Sequence, residues 1–162
     1  VVDGDSERYH SVQKAVNGLR NKYSIYSFYL IERGQHIVRQ ARAYTVMRRD
    51  GNCKCVRCGI EGTVVLSYRQ FGESDHVIHN DVFALNGRLL IMMTLDHILP
   101  RSLGGSNNIN NLQLMCATCN SAKSNIMTDA EVVRVASNFK NHISSGRKSE
   151  RLLLKLATHH VH

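Results

Sequence analysis

Two Cys-x-x-Cys pairs, Cys55/Cys58 and Cys116/Cys119, constrain what this chain can fold into more than any other feature. Two thiolates at that spacing can grip one ion from a tight turn. Two such pairs complete a closed tetrahedral shell of the structural kind, for which zinc is the expected ion. The pairs lie far apart in the chain, so a shared ion pins two distant segments together. Cys53 is out of register with both pairs. It is a free thiol or, in a Cys-Lys-Cys arrangement, a spare ligand. An odd cysteine count grouped this way argues for a metal site in a reducing, cytoplasmic compartment and against a disulfide framework.

With 162 residues, 43% hydrophobic and 21% charged, the chain is long enough to bury a core. Its formal net charge of +8 favours polyanionic partners, because each phosphate neutralised by Lys or Arg releases counterions. Four thiolates around one divalent ion make the loaded protein about two units less basic. The longest apolar run, around Leu89 to Leu95, is far shorter than the roughly 20 residues of a membrane span, so no membrane partner is expected. Val1 to Arg8 show no basic-then-apolar leader pattern. The chain opens on Val1, not Met, which leaves a fragment or a processed form open.

Periodicity predicts a first helix from about Ser6 to Tyr23, capped by Asp5 or Ser6, with Val12, Ala15, Val16, Leu19 and Tyr23 on one face. A second helical pattern runs through Ile37, Ala41, Tyr44 and Met47 to the Asp50-Gly51 turn. Cys55 to Gly59 is the first metal-binding turn, and Thr63 to Tyr68 is rich in strand formers. Arg69 to Asp81 is expected to be a polar loop containing His76 and His79, which is a solvated segment or a weak substrate or metal contact. Asn86-Gly87 between two apolar arms predicts a hairpin whose second arm runs into Asp96-His97. Pro100 to Asn110 reads as a loop and Leu112 to Met115 as a short strand. A helix starting near Cys116 places Asn120 and Lys123 one turn apart on the same face. Thr128-Asp129-Ala130-Glu131 is a capping-box start for a last helix carrying Val132, Ala136, Phe139 and Ile143, followed by a basic tail. Tyr23, Tyr26, Phe28 and Tyr29, near Lys22 and Arg33, pack a small N-terminal unit or stack on bases.

Between the cysteine pairs stand Asp96-His97-Ile98-Leu99-Pro100, Gly104-Gly105 and Asn111-Leu112, and then Cys116-Ala117-Thr118-Cys119-Asn120-Ser121-Ala122-Lys123. In this order they closely resemble the HNH endonuclease family, over roughly Thr45 to Asn125. Arg49-Asp50 ahead of Cys55 also fits a common lead-in of its zinc-bearing members. The resemblance implies an α+β fold: a ββα-metal core with structural zinc knuckles at 45–127. A helical and aromatic flank at 1–44 and a C-terminal helix with basic tail at 128–162 enclose it. It implies that Asp96 and Asn120 bind a catalytic divalent ion, that His97 is the general base, and that Asn111 braces the loop and holds the His97 backbone and ring. Many members carry His where Asn120 stands.

Those residue types suit phosphodiester hydrolysis. Two protein oxygens make a hard, sparse site fit for magnesium or manganese that keeps waters and takes phosphate oxygens. A neutral imidazole accepts a proton at physiological pH, and a positioned base contributes about 10²–10⁴ in rate. Lys123 and Arg101 are the candidate phosphate contacts. The expected substrate is double-stranded DNA, nicked or cut to leave 5′-phosphate and 3′-hydroxyl ends. Structured RNA and a non-catalytic zinc module that only binds nucleic acid are the rivals. A phage or mobile-element origin fits the family's habits.

Overall fold

The computed structural model describes residues 2–31 and 43–144, with side chains from residue 7. Ile37, Ala41, Arg33 and the C-terminal tail fall outside them. Helix α1 spans Val2–Gly18 and buries Val12, Ala15 and Val16, the stripe that periodicity predicts. Its start takes in Asp5 and Ser6, so neither is the cap. It also ends before Tyr23, the last residue of the predicted helix, which instead opens a strand that periodicity does not predict, β1 (Tyr23–Leu30). Strand β1 pairs with β2 (Gly62–Gln70), with a register shift between Ile25 and Ser27. Strands β3 (His79–Asn86), β4 (Leu89–His97) and β5 (Leu112–Cys116) follow, giving an antiparallel sheet in the order β1-β2-β3-β4-β5. The predicted loop from Arg69 to Asp81 shrinks to 71–78, because Arg69 and Gln70 pair with Ser24 and Tyr23 of β1 while His79, Asn80 and Asp81 pair with β2.

Strand β2 is buried on both faces, so it reads as a continuous apolar run. On one side Val64, Leu66 and Phe83 pack under Val12 and Val16 of α1. On the other, Val65, Val82, Ala84, Met93 and Leu114 meet Val46 and Met47 of α2 (Tyr44–Asp50). Asn86 pairs with Leu89 across a two-residue turn, and Gly87 takes the positive φ of 61° that such turns need.

Strand β4 has two different neighbours. Residues Leu89 to Met92 pair with β3, whereas Met93 to His97 pair with β5. Beyond Met92 the strands β3 and β4 therefore diverge. Strands β4 and β5 with α3 (Ala117–Lys123) form a ββα unit at that open end. The last helix, α4 (Asp129–Ser137), has the predicted capping box between Thr128 and Glu131. It stops short of the predicted Ile143: Phe139–Asn141 is a 3-10 turn, and Ile143 bridges to Gly105. Only glycine fits at 105, since a Cβ there would lie 1.8 Å from the Leu99 carbonyl oxygen. Among the described residues no helix is long and apolar enough to cross a membrane.

Candidate active site and metal centre

The first cysteine pair sits in a tight turn between α2 and β2. The Gly59 amide donates to the Cys55 carbonyl at 2.9 Å, with Gly59 at φ 78°, and the Val56 amide ties the turn to the Leu114 carbonyl at 3.0 Å. The second pair spans the end of β5 and the first turn of α3, where the Cys119 amide donates to Cys116 Sγ. The four sulfur atoms of Cys55, Cys58, Cys116 and Cys119 all lie within 4.8 Å of one another. Cys58 and Cys116 are 3.8 Å apart. Tetrahedral zinc–thiolate bonds of about 2.3 Å place sulfurs about 3.8 Å apart, so the set fits a zinc-sized ion. Burial opposes the Cys55 thiolate, yet backbone amides of Cys58, Cys116 and Arg57 outweigh it and bring its thiol down to about 6. Cys119 is pushed up to about 12, first by burial and then by bonds to the neighbouring sulfurs. Cys53 stays apart, buried against Met47 and raised to about 12 chiefly by burial, which is the free-thiol alternative.

Asp96 and His97 end β4, and Asn120 stands on α3. Asp96, His97, Arg101 and Asn120 line one cavity of about 230 Å³. Asp96 Oδ2 accepts from Gln113 Nε2 at 2.8 Å and from Lys123 Nζ at 2.5 Å. Its Oδ1 has no partner. Because no buried side-chain oxygen among the described residues lacks one, Oδ1 is open to solvent. The Asn120 amide nitrogen donates to Thr94 Oγ1 at 2.9 Å, which leaves its carbonyl oxygen without a partner and open in the same way. Both residues line one cavity and each keeps a free, hard oxygen, the donor type that magnesium and manganese take.

Two expected contacts come out differently. Lys123 does not face the cavity: its side chain is 1% exposed and is held between Asp96 Oδ2 and Glu131 Oε2, the latter at 3.2 Å. The Asn111 side chain bonds neither the backbone nor the ring of His97. It accepts from the Leu99 amide at 2.9 Å and donates to the carbonyls of Leu99 and Ser106. The ring nitrogen Nε2 of His97 lies instead 2.8 Å from Asn107 Oδ1. Arg101 is exposed and lines the same cavity. His79 is held by Glu73 at 2.9 Å, and His76 is exposed without joining it.

Four positioning residues escaped the sequence reading: Asn107, Gln113, Glu131 and His142. Gln113 bonds both Asp96 and, at 3.0 Å, Glu131 Oε1, closing a buried ring of Asp96, Lys123, Glu131 and Gln113. Its signal was register, since Gln113 stands opposite Asp96 in the β4–β5 ladder. His142 Nδ1 lies 3.0 Å from Asn111 Oδ1 and is 2% exposed. Arg49 of the lead-in donates to the carbonyls of Ile109 and Leu112 and so ties α2 to the entry of β5.

The ββα unit of this α+β protein thus carries an Asp-His strand end, an opposing helix Asn and, beside them, a four-sulfur cluster. Residues 91–135 match the family model of HNH endonucleases, and this segment of the chain is of that type. No curated protein and no solved structure matches the chain.

Proposed function

We propose that the protein is an endonuclease that hydrolyses phosphodiester bonds in double-stranded DNA. The observation that carries this reading is that Asp96, His97, Arg101 and Asn120 line one cavity, with an oxygen of Asp96 and of Asn120 left without a partner. His97 is the general base: Asn107 fixes its Nε2 edge, and Nδ1 is left to take the proton of the attacking water. Asp96 and Asn120 would hold one magnesium or manganese ion, which when bound would neutralise phosphoryl and leaving oxygens. Arg101 contacts a neighbouring phosphate, and Asn111 keeps the intervening loop in shape. Cys55, Cys58, Cys116 and Cys119 hold structural zinc, closed to substrate. Lys123 acts inside the protein, as the counter-charge that turns one oxygen of Asp96 inward and the other outward.

The test is supercoiled-plasmid cleavage with magnesium, manganese or neither, beside the His97→Ala protein and a matched RNA. Wild-type protein should relax or linearise the plasmid only with the added ion. His97→Ala should lose about 10² or more in rate while keeping fold and zinc. Undiminished cutting by His97→Ala removes the assigned base. Cleavage of RNA alone replaces the substrate, and binding without cleavage of either leaves a zinc module that only binds.

A further inference from the structure

The divergence of β3 and β4 beyond Met92 opens a cleft of about 640 Å³ beside the catalytic cavity. Leu95, His97 and Arg101 line both spaces, so the two adjoin. One wall is the His79-to-Val82 half of β3, which pairs only with β2. The other is the Met93-to-His97 half of β4, which pairs only with β5. Each wall is thus a strand edge with spare backbone donors and acceptors. Apolar side chains such as Val82 and Met92 supply the rest of the lining.

The polar residues of the cleft keep unused hydrogen-bonding atoms. Tyr68 donates to Asp81 Oδ2 at 2.7 Å, leaving Oδ1 free. Glu73 occupies Nε2 of His79 and leaves Nδ1. His97 occupies the Asn107 oxygen and leaves its amide nitrogen, and the Gln70 side chain has no partner among the described residues. A lining of apolar surface with convergent free donors and acceptors is what a flat, polar-edged ring requires. The volume falls within the roughly 300–1,000 Å³ that encloses small-molecule-sized groups, and a double helix cannot enter it.

We propose that this cleft receives one unpaired nucleotide adjoining the scissile phosphate, its base held among Gln70, His79 and Asp81 while its phosphate lies at Arg101 and His97. The inference rests on the nuclease reading above and adds a subsite to it. A base must leave its stack to enter, which costs least where the pairing is already broken, so the enzyme should favour cuts beside a mismatch or an unpaired position.

The experiment places a single 2-aminopurine at each position flanking the cut in duplex DNA. Fluorescence is read with wild-type protein in the absence of magnesium and manganese, and cleavage is mapped in parallel with magnesium present. One flanking position should brighten on binding. A mismatch at that position should raise kcat/KM about tenfold, the value of one good base contact. His79→Ala and the exposed-site Gln70→Ala, two independent variants, should each lower that preference. Cutting with no brightening at any position overturns the subsite alone, as does a preference that both variants retain. Failure to cut any nucleic acid overturns the nuclease reading and the subsite with it.

Discussion

Lys123 carries more of this site than its place in the motif indicates. Its ammonium is buried between two carboxylates, Asp96 and Glu131, whose side chains are 7% and 13% exposed. Removing the only cation of that ring leaves two anions facing each other out of water. Lys123→Met should therefore lower stability by about 3–5 kcal/mol in a denaturant titration. Adding Glu131→Gln should recover part of the loss, since one uncompensated charge leaves with it; no recovery would mean that Lys123 acts through packing alone. At this scale the motif residues were legible because Asp96, His97, Asn120 and the cysteines stand at fixed spacings in the chain. The direction in which Lys123 points was not. Helical spacing places it on the face of Asn120, but whether it turns to solvent or inward depends on Glu131, which sequence displays only as a capping residue. Asn107 was equally silent, one Asn in a loop of several, and only the loop's path brings it to His97.

At the scale of elements, the hairpin, β5, α3 and the start of α4 follow their sequence signals, because each has a local cause: a turn glycine, an apolar alternation or a capping box. Strand β1 is not legible because a register shift between Ile25 and Ser27 breaks the period of two. The predicted loop is shorter because Gln70 and His79 are polar residues at strand ends, where pairing with β1 and β2, not hydrophobicity, recruits them. The segment after α4 is expected to be more helix, yet it docks as a strap over the loop between β4 and β5. His142 bonds Asn111, its carbonyl accepts from the Ser106 amide at 2.8 Å, and Ile143 bridges to Gly105. Burial, and then the charge of Arg134, lowers the His142 pKa from 6.5, so the folded state holds the ring neutral. The strap's contribution is complete above 6.5 and falls as pH drops through that value toward the folded one, where the ring finally charges. Urea midpoints compared at about pH 7.5 and about pH 5.5 should fall with acid in wild type, and fall less in His142→Gln. Equal slopes in the two proteins would remove His142 as the titrating strap.

Across the whole molecule, the sulfur cluster is the link that local signals cannot replace. Cys58 and Cys116 are 58 positions apart, and between them lie β2, β3, β4 and the catalytic loop. One bound ion therefore closes a loop containing most of the sheet, and it anchors the junction of β5 and α3 on which Asn120 depends. Structural zinc in small domains contributes about 10–16 kcal/mol of apparent binding energy, comparable with the roughly 5–15 kcal/mol by which an entire domain is stable. The ion proposed at Asp96 and Asn120 has only two protein oxygens and contributes far less to folding. The two metals should then separate cleanly. Withholding magnesium and manganese should stop cleavage and leave the unfolding transition in place. Stripping zinc with a thiol-reactive reagent, followed by reduction under chelator, should abolish both the cooperative transition and cleavage. Adding magnesium should restore neither, whereas one equivalent of zinc should restore the transition, and zinc with magnesium should restore cutting. A zinc-free protein that still unfolded cooperatively at the same midpoint would show that the core of β2 to β5 holds the site by packing alone.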